Sequence, residues 1–222
     1  TENQMITNNK NILKIKEIIL NESDDEVKKR EAMNRFIDYY VYEEIYYKPK
    51  PKFKDPNFDI NRKSTSVKLS YGKTLLHMAA NENKPKFAKL LIENDADLDI
   101  QDGEGNTALH LAVKKGNKKI AKLLIENDAD LNKTDKTDKY GNTALYLAVN
   151  NNKQDIVKSL LNKMEQDDLN KTDGFGDTVL HVAIENKNAG IAKQLINSMN
   201  KYGLNKTDKY GNTALYLAVN NN

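Results

Sequence analysis

The sequence predicts an all-α solenoid, a stack of helix-turn-helix units, over residues 71–222, and two observations predict it. The motif Gly-x-Thr-x-Leu-(His/Tyr) occurs five times, from Gly72 to His77, Gly105 to His110, Gly141 to Tyr146, Gly176 to His181 and Gly211 to Tyr216, with glycine spacings of 33, 36, 35 and 35 residues. A recurring period of this size marks a repeat architecture, in which each unit is one supersecondary element unable to bury its apolar face alone. In and after these motifs the apolar residues recur at three-to-four spacing, so the units are built from helices.

Before the repeats, residues 1–47 carry a different pattern. An apolar-rich stretch from Ile12 to Leu20 precedes Ser23-Asp-Asp-Glu26, which reads as a capping box opening a second helix, and Met33, Phe36, Ile37, Tyr40, Val41 and Ile45 follow at helical spacing. The segment is read as an N-terminal helical pair capping the array, with the end of an upstream domain as the alternative. Residues 48–70 form a basic linker: Lys48-Pro-Lys-Pro-Lys-Phe-Lys54 forbids helix and favours extended backbone. The first repeat spans 71–102, the second 103–138, the third 139–173 and the fourth 174–208, and 209–222 holds one helix of a fifth.

Within each repeat the first helix is small-sided, with Leu76, Ala79 and Ala80, then Leu109, Ala112 and Val113, then Leu145, Ala148 and Val149, then Leu180, Ala183 and Ile184. Small residues let the next repeat approach closely. The second helix supplies bulk through Ile120, Leu123 and Leu124, through Ile156, Leu160 and Leu161, and through Ile191, Leu195 and Ile196. Residues 87–98 and 120–131 differ at one position, and residues 136–152 recur unchanged at 206–222. That copying indicates growth of the gene by duplication. Residues beyond the 33-residue period fall at Asn132 to Lys139, Lys163 to Asp168 and Ser198 to Gly203, and are expected to be polar loop insertions.

These motifs resemble the ankyrin repeat, a Gly-x-Thr-Pro-Leu-His turn followed by two antiparallel helices and a Gly-Ala-Asp exit loop. The resemblance implies an ankyrin α-solenoid. The motif proline is replaced by Leu75, Ala108, Ala144, Val179 and Ala214 and the exit glycine by Asp95 and Asp128, which predicts looser helix starts. Long, recently duplicated arrays rich in Lys and Asn also resemble those of effectors and toxins from host-associated bacteria with AT-rich genomes.

Composition narrows the chemistry. Lys and Arg total 35 against 32 Asp and Glu, a net charge of +3, too small for the field that non-specific phosphate binding needs, so nucleic acid is disfavoured. With no Cys, cysteine nucleophiles and thiolate metal sites are excluded. The three His (77, 110 and 181) all stand at the repeat motif, where the family uses this side chain to order the hairpin loop, and Tyr146 and Tyr216 replace it elsewhere. Catalysis in this segment is not expected, nor is any metal, cofactor, small-molecule substrate or membrane span. Asp95-Ala-Asp97-Leu-Asp99 lacks the glycine and glutamate of a calcium loop, and Asn132-Lys-Thr134, Asn170-Lys-Thr172 and Asn205-Lys-Thr207 match a glycosylation pattern that Asn-rich chains produce by chance.

The expected function is therefore binding of a folded partner protein, a host protein if the chain is an effector, through the concave face built from hairpin tips and first helices. The candidate partner-binding residues are Tyr71, Glu104, Tyr140, Phe175 and Tyr210, each immediately before a motif glycine, with Lys114 and Lys115 on the first helix. Exposed aromatics are frequent hot spots; the alternative is that each ring folds back to stiffen its loop. A second functional class makes the array the recognition arm of a larger secreted effector or toxin enzyme, for example a ubiquitin-directed one, acting in a host cell rather than in the cytoplasm that produced it.

Overall fold

The computed structural model describes residues 60, 61, 63, 72–136 and 141–220. The expected helical pair at 1–47, nearly all of the 48–70 linker, and the side chains of Tyr71 and Tyr140 lie outside the described residues. The chain divides into two compact units, 1–97 and 98–222.

In the first unit, α1 (Leu75–Asn81) and α2 (Pro85–Ile92) form a helical hairpin. Pro85 opens α2 at a position where its missing N–H costs nothing. Leu76, Ala79, Ala80, Phe87, Ala88 and Leu91 are buried. The exit loop is held by the Asp97 N–H, which donates to Asn61 Oδ1 at 2.8 Å.

The second unit runs α3 (Ala108–Lys115), α4 (Lys118–Glu126), α5 (Ala144–Asn150), α6 (Gln154–Leu161), α7 (Gln166–Leu169), α8 (Val179–Glu185), α9 (Ala189–Ser198), α10 (Lys201–Leu204) and α11 (Ala214–Asn220). Three hairpins, α3/α4, α5/α6 and α8/α9, stack so that α3, α5, α8 and α11 form one layer and α4, α6 and α9 another. Ala112, Ala148 and Ala183, fully buried on successive first helices, set the close spacing of the inner layer. Ile120, Leu124, Ile156, Leu160, Ile191 and Leu195 fill the gap between layers. Among the described residues every regular element is helical, and β-type pairing is limited to the isolated bridges Thr172–Thr178 and Thr207–Thr213.

Helix starts are held firmly despite the missing prolines. Thr74, Thr107, Thr143 and Thr178 sit at the N-caps with extended backbone. In α1, α3 and α8 the threonine and the motif histidine form a reciprocal capping box. The capping threonine, which the family motif also carries, holds these starts without the proline, so the expected loosening is not seen. At the exit loops Asp95 and Asp128 take up left-handed φ of 63° and 61°, a region aspartate tolerates better than most residues.

Two of the three insertions are more than polar loops. The extra residues after α6 and α9 each wind into a single helical turn, α7 and α10, anchored by buried Leu169 in one and by buried Met199 and Gly203 in the other. The turns are cross-linked by Gln166, whose Nε2 donates to the Ser198 carbonyl at 2.6 Å and whose Oε1 accepts from the Asn200 N–H at 2.7 Å. Ile196 departs from its expected core position and stands 48% exposed on α9.

Candidate functional site

In the second to fifth repeats the hairpin loop is built around one aspartate. Asp102 Oδ1 accepts the N–H groups of Glu104 and Asn106, both at 2.9 Å, while its own N–H donates to the Asn106 carbonyl at 2.8 Å. Asp173 repeats this with Phe175 at 2.8 Å and Asp177 at 3.0 Å, and Asp208 with Tyr210 and Asn212, both at 2.8 Å. Such an aspartate turn mimics backbone hydrogen bonding and lifts the residue two positions on to the tip. Glu104, Phe175 and Tyr210 therefore occupy equivalent tips, all solvent-facing. The following glycine has φ of 77° at Gly105, and a Cβ there would come within 2.9 Å of the Lys136 backbone nitrogen, so the next loop can approach only a bare Cα.

Neighbouring tips are stitched together. The Lys136 N–H donates to the Glu104 carbonyl and the Lys209 N–H to the Phe175 carbonyl, each at 2.8 Å. The Lys209 ammonium lies 4.2 Å from the Phe175 ring centroid and 4.9 Å from that of Tyr210. A cation between two rings fixes both by cation–π attraction while leaving their outer faces open. Phe175 keeps 51% and Tyr210 76% of its surface exposed.

The motif histidines are structural. Nδ1 of His110 accepts the Thr107 N–H at 3.1 Å and lies 2.8 Å from its hydroxyl, which leaves the ring proton on Nε2 to be donated to the Asn142 carbonyl of the next loop at 3.0 Å. His181 does the same with Thr178 and with the Asn212 carbonyl at 3.2 Å. Burial holds the His110 pKa below its ordinary value, against the upward pull of the Asn142 carbonyl and Asp135. In His110 and His181 both ring nitrogens are engaged, Nδ1 in capping its own helix and Nε2 in joining that repeat to the next. Among the described residues no group of three or more His, Asp or Glu side chains is arranged to hold a metal, and no helix is long and apolar enough to cross a membrane.

The two candidate lysines of α3 differ. Lys114 Nζ donates to Asn106 Oδ1 at 2.7 Å and to Asp135 Oδ2 at 2.9 Å, and the Asp135 side chain is wholly buried. Its ammonium is thus committed to joining two loops. Lys115 is exposed. The residues missing from the sequence reading are Lys209, Asp135, Asp173 and Asp208. A signal for the aspartates was present: Leu-Asn-Lys-Thr-Asp recurs at 131–135, 169–173 and 204–208, and its last residue is the loop organiser each time. In the third repeat Asp135 takes this role although the tract 136–152 copied at 206–222 places Asp138 where Asp208 stands.

The family model described as ankyrin repeats (3 copies) matches residues 50–135, 76–173 and 145–222. Those matches cover well over half of the chain, which therefore belongs to the ankyrin-repeat family. A comparison with curated proteins gives no match. Ankyrin repeats are in general protein–protein interaction modules, and they are typically not catalytic.

Proposed function

We propose that the chain binds a folded partner protein through the edge formed by its hairpin tips, with Tyr140, Phe175 and Tyr210 as joint anchors and Glu104 and Lys115 extending the same surface; Tyr71, before the first motif glycine, is a further candidate. The observation that supports this most is the pair Phe175 and Tyr210, presented on successive tips with Lys209 between the rings. Rings already ordered in the free protein lose little further entropy on binding, which is how large aromatics act as anchors at low cost. Lys114 contributes indirectly, by holding the second and third loops in register.

A second reading draws on the duplicated 17-residue tract: the array as the target-selecting arm of a larger secreted effector or toxin enzyme. A catalytic domain encoded in the same reading frame supports that version, and a stand-alone array opposes it. For the binding reading itself, the test is capture from lysate by the unmodified chain and by the triple variant Tyr140→Ala, Phe175→Ala, Tyr210→Ala, followed by titration of the captured protein. We expect affinity to fall by at least about 2 kcal/mol, roughly thirtyfold, with helicity and melting point unchanged. Equal affinity of the two chains for that protein overturns the proposal.

A further inference from the structure

The second and fourth repeats place different charges at equivalent positions. In the second, Asn106 Nδ2 donates to Asp102 at 3.3 Å, and the Lys114 ammonium, four residues after the motif histidine, joins Asn106 to Asp135 of the next loop. In the third and fifth, Asn142 Nδ2 donates to Asp135 at 3.2 Å and Asn212 Nδ2 to Asp208 at 3.0 Å. The fourth has Asp177 where the second, third and fifth have asparagine, and Glu185 where the second has Lys114. The Asp177 N–H donates to the loop-organising Asp173 Oδ1 at 3.0 Å, but the Asp177 side chain has no amide proton to add. Its Oδ1 is buried with no hydrogen-bond partner.

We propose that the Asp177 carboxyl holds a proton in mildly acidic solution and donates it to the loop-organising Asp173, closing the fourth hairpin loop as the asparagine amide does in the second, third and fifth. A protonated carboxyl presents one O–H donor in nearly the same place as an amide N–H, so the acid restores the missing bond and the conjugate base removes it. The charges facing Asp177 are Asp173 from its own loop, His181 and Glu185 from its own helix α8, and Asp208 from the next loop. Burial, then Asp173 and Glu185, push its carboxyl up to about 6, with Asp208 adding to the rise and His181 opposing it. A carboxyl raised above its unfolded value contributes stability fully present below the unfolded pKa, near 3.8, and lost as pH rises through the folded one, near 6. The fourth loop, which carries Phe175, is thus tighter at pH 5 than at pH 7.5.

The experiment uses the full 222-residue chain and its Asp177→Asn variant, asparagine being the residue that already folds at three equivalent positions. Carboxyl-carbon NMR of the unmodified chain should show one aspartate, absent from the variant, titrating near pH 6. The variant should be more stable at pH 7.5 by about tenfold in the unfolding equilibrium, solvent screening trimming the full effect, and indistinguishable from the parent at pH 4. His110, held neutral by burial, acts in the opposite sense, losing stability as pH falls below its ordinary 6.5; the difference between parent and variant removes that contribution because both chains share it. An Asp177 midpoint near 4, or a stability difference that does not change between pH 4 and 7.5, overturns the proposal.

Discussion

Lys114 and Lys115 are adjacent on α3, and the helix turns them to opposite fates. Lys114 neutralises Asp135, whose carboxylate has no access to water, and satisfies Asn106 at the same time. Removing its charge leaves a desolvated carboxylate unpaired, the costly way to break such an interaction. Replacing Lys114 by Met should therefore cost about 2 kcal/mol of unfolding free energy by urea denaturation, whereas Lys115→Ala at the exposed neighbour should stay within about 0.5 kcal/mol. Equal losses at both sites would show that the Lys114 pair is screened and inert. Two identical letters in the sequence carry no sign of this difference, because it depends on where the Asp135 loop of the following repeat arrives.

Helices α5 and α11 share one sequence, Ala-Leu-Tyr-Leu-Ala-Val-Asn, and put it to different use. Leu145 and Val149 on α5 are 1% and 0% exposed beneath the packed α6 and α8, whereas Leu215 and Val219 on α11 are 73% and 67% exposed. Intrinsic propensity and capping threonine are identical, so the contrast isolates burial. Leu145→Ala should cost about 2–5 kcal/mol through the cavity it leaves, and Leu215→Ala less than about 0.5 kcal/mol. A loss at Leu215 comparable with that at Leu145 in thermal unfolding would mean that α11 is covered in solution. The short helices α7 and α10 belong to the same scale. Their sequences, rich in Asp, Asn and Lys, read as loops, and only Leu169, Met199 and the Gln166 cross-link wind them into turns.

Across residues 98–222 each hairpin touches only its neighbours: α3 packs on α5, α5 on α8 and α8 on α11, with α4, α6 and α9 following in the outer layer. Stability in such an array is the sum of repeat and junction contributions, so protection should vary with position in the stack. Amide hydrogen exchange should be slowest in α5 and α8, which have a first helix on each side, and fastest in α11. Uniform protection across the four first helices would show instead that the unit opens only as a whole. The histidine bridges strengthen this one-dimensional coupling, since His110 and His181 each cap their own helix and donate to the loop of the next repeat.

While the structural role of the histidines came from the resemblance to the ankyrin repeat, the repeat period, the helical character and most of the apolar faces were determined by the sequence alone, because each depends on spacing within one repeat and is written several times over. The tips bearing Glu104, Phe175 and Tyr210 were legible for the same reason. Contacts between repeats were not. Whether Lys114 faces a partner or Asp135, and whether Lys209 joins Phe175 to Tyr210, depend on residues 21 and 34 positions apart. Charge and exposure are properties of the stacked array, and only the tertiary structure decided them.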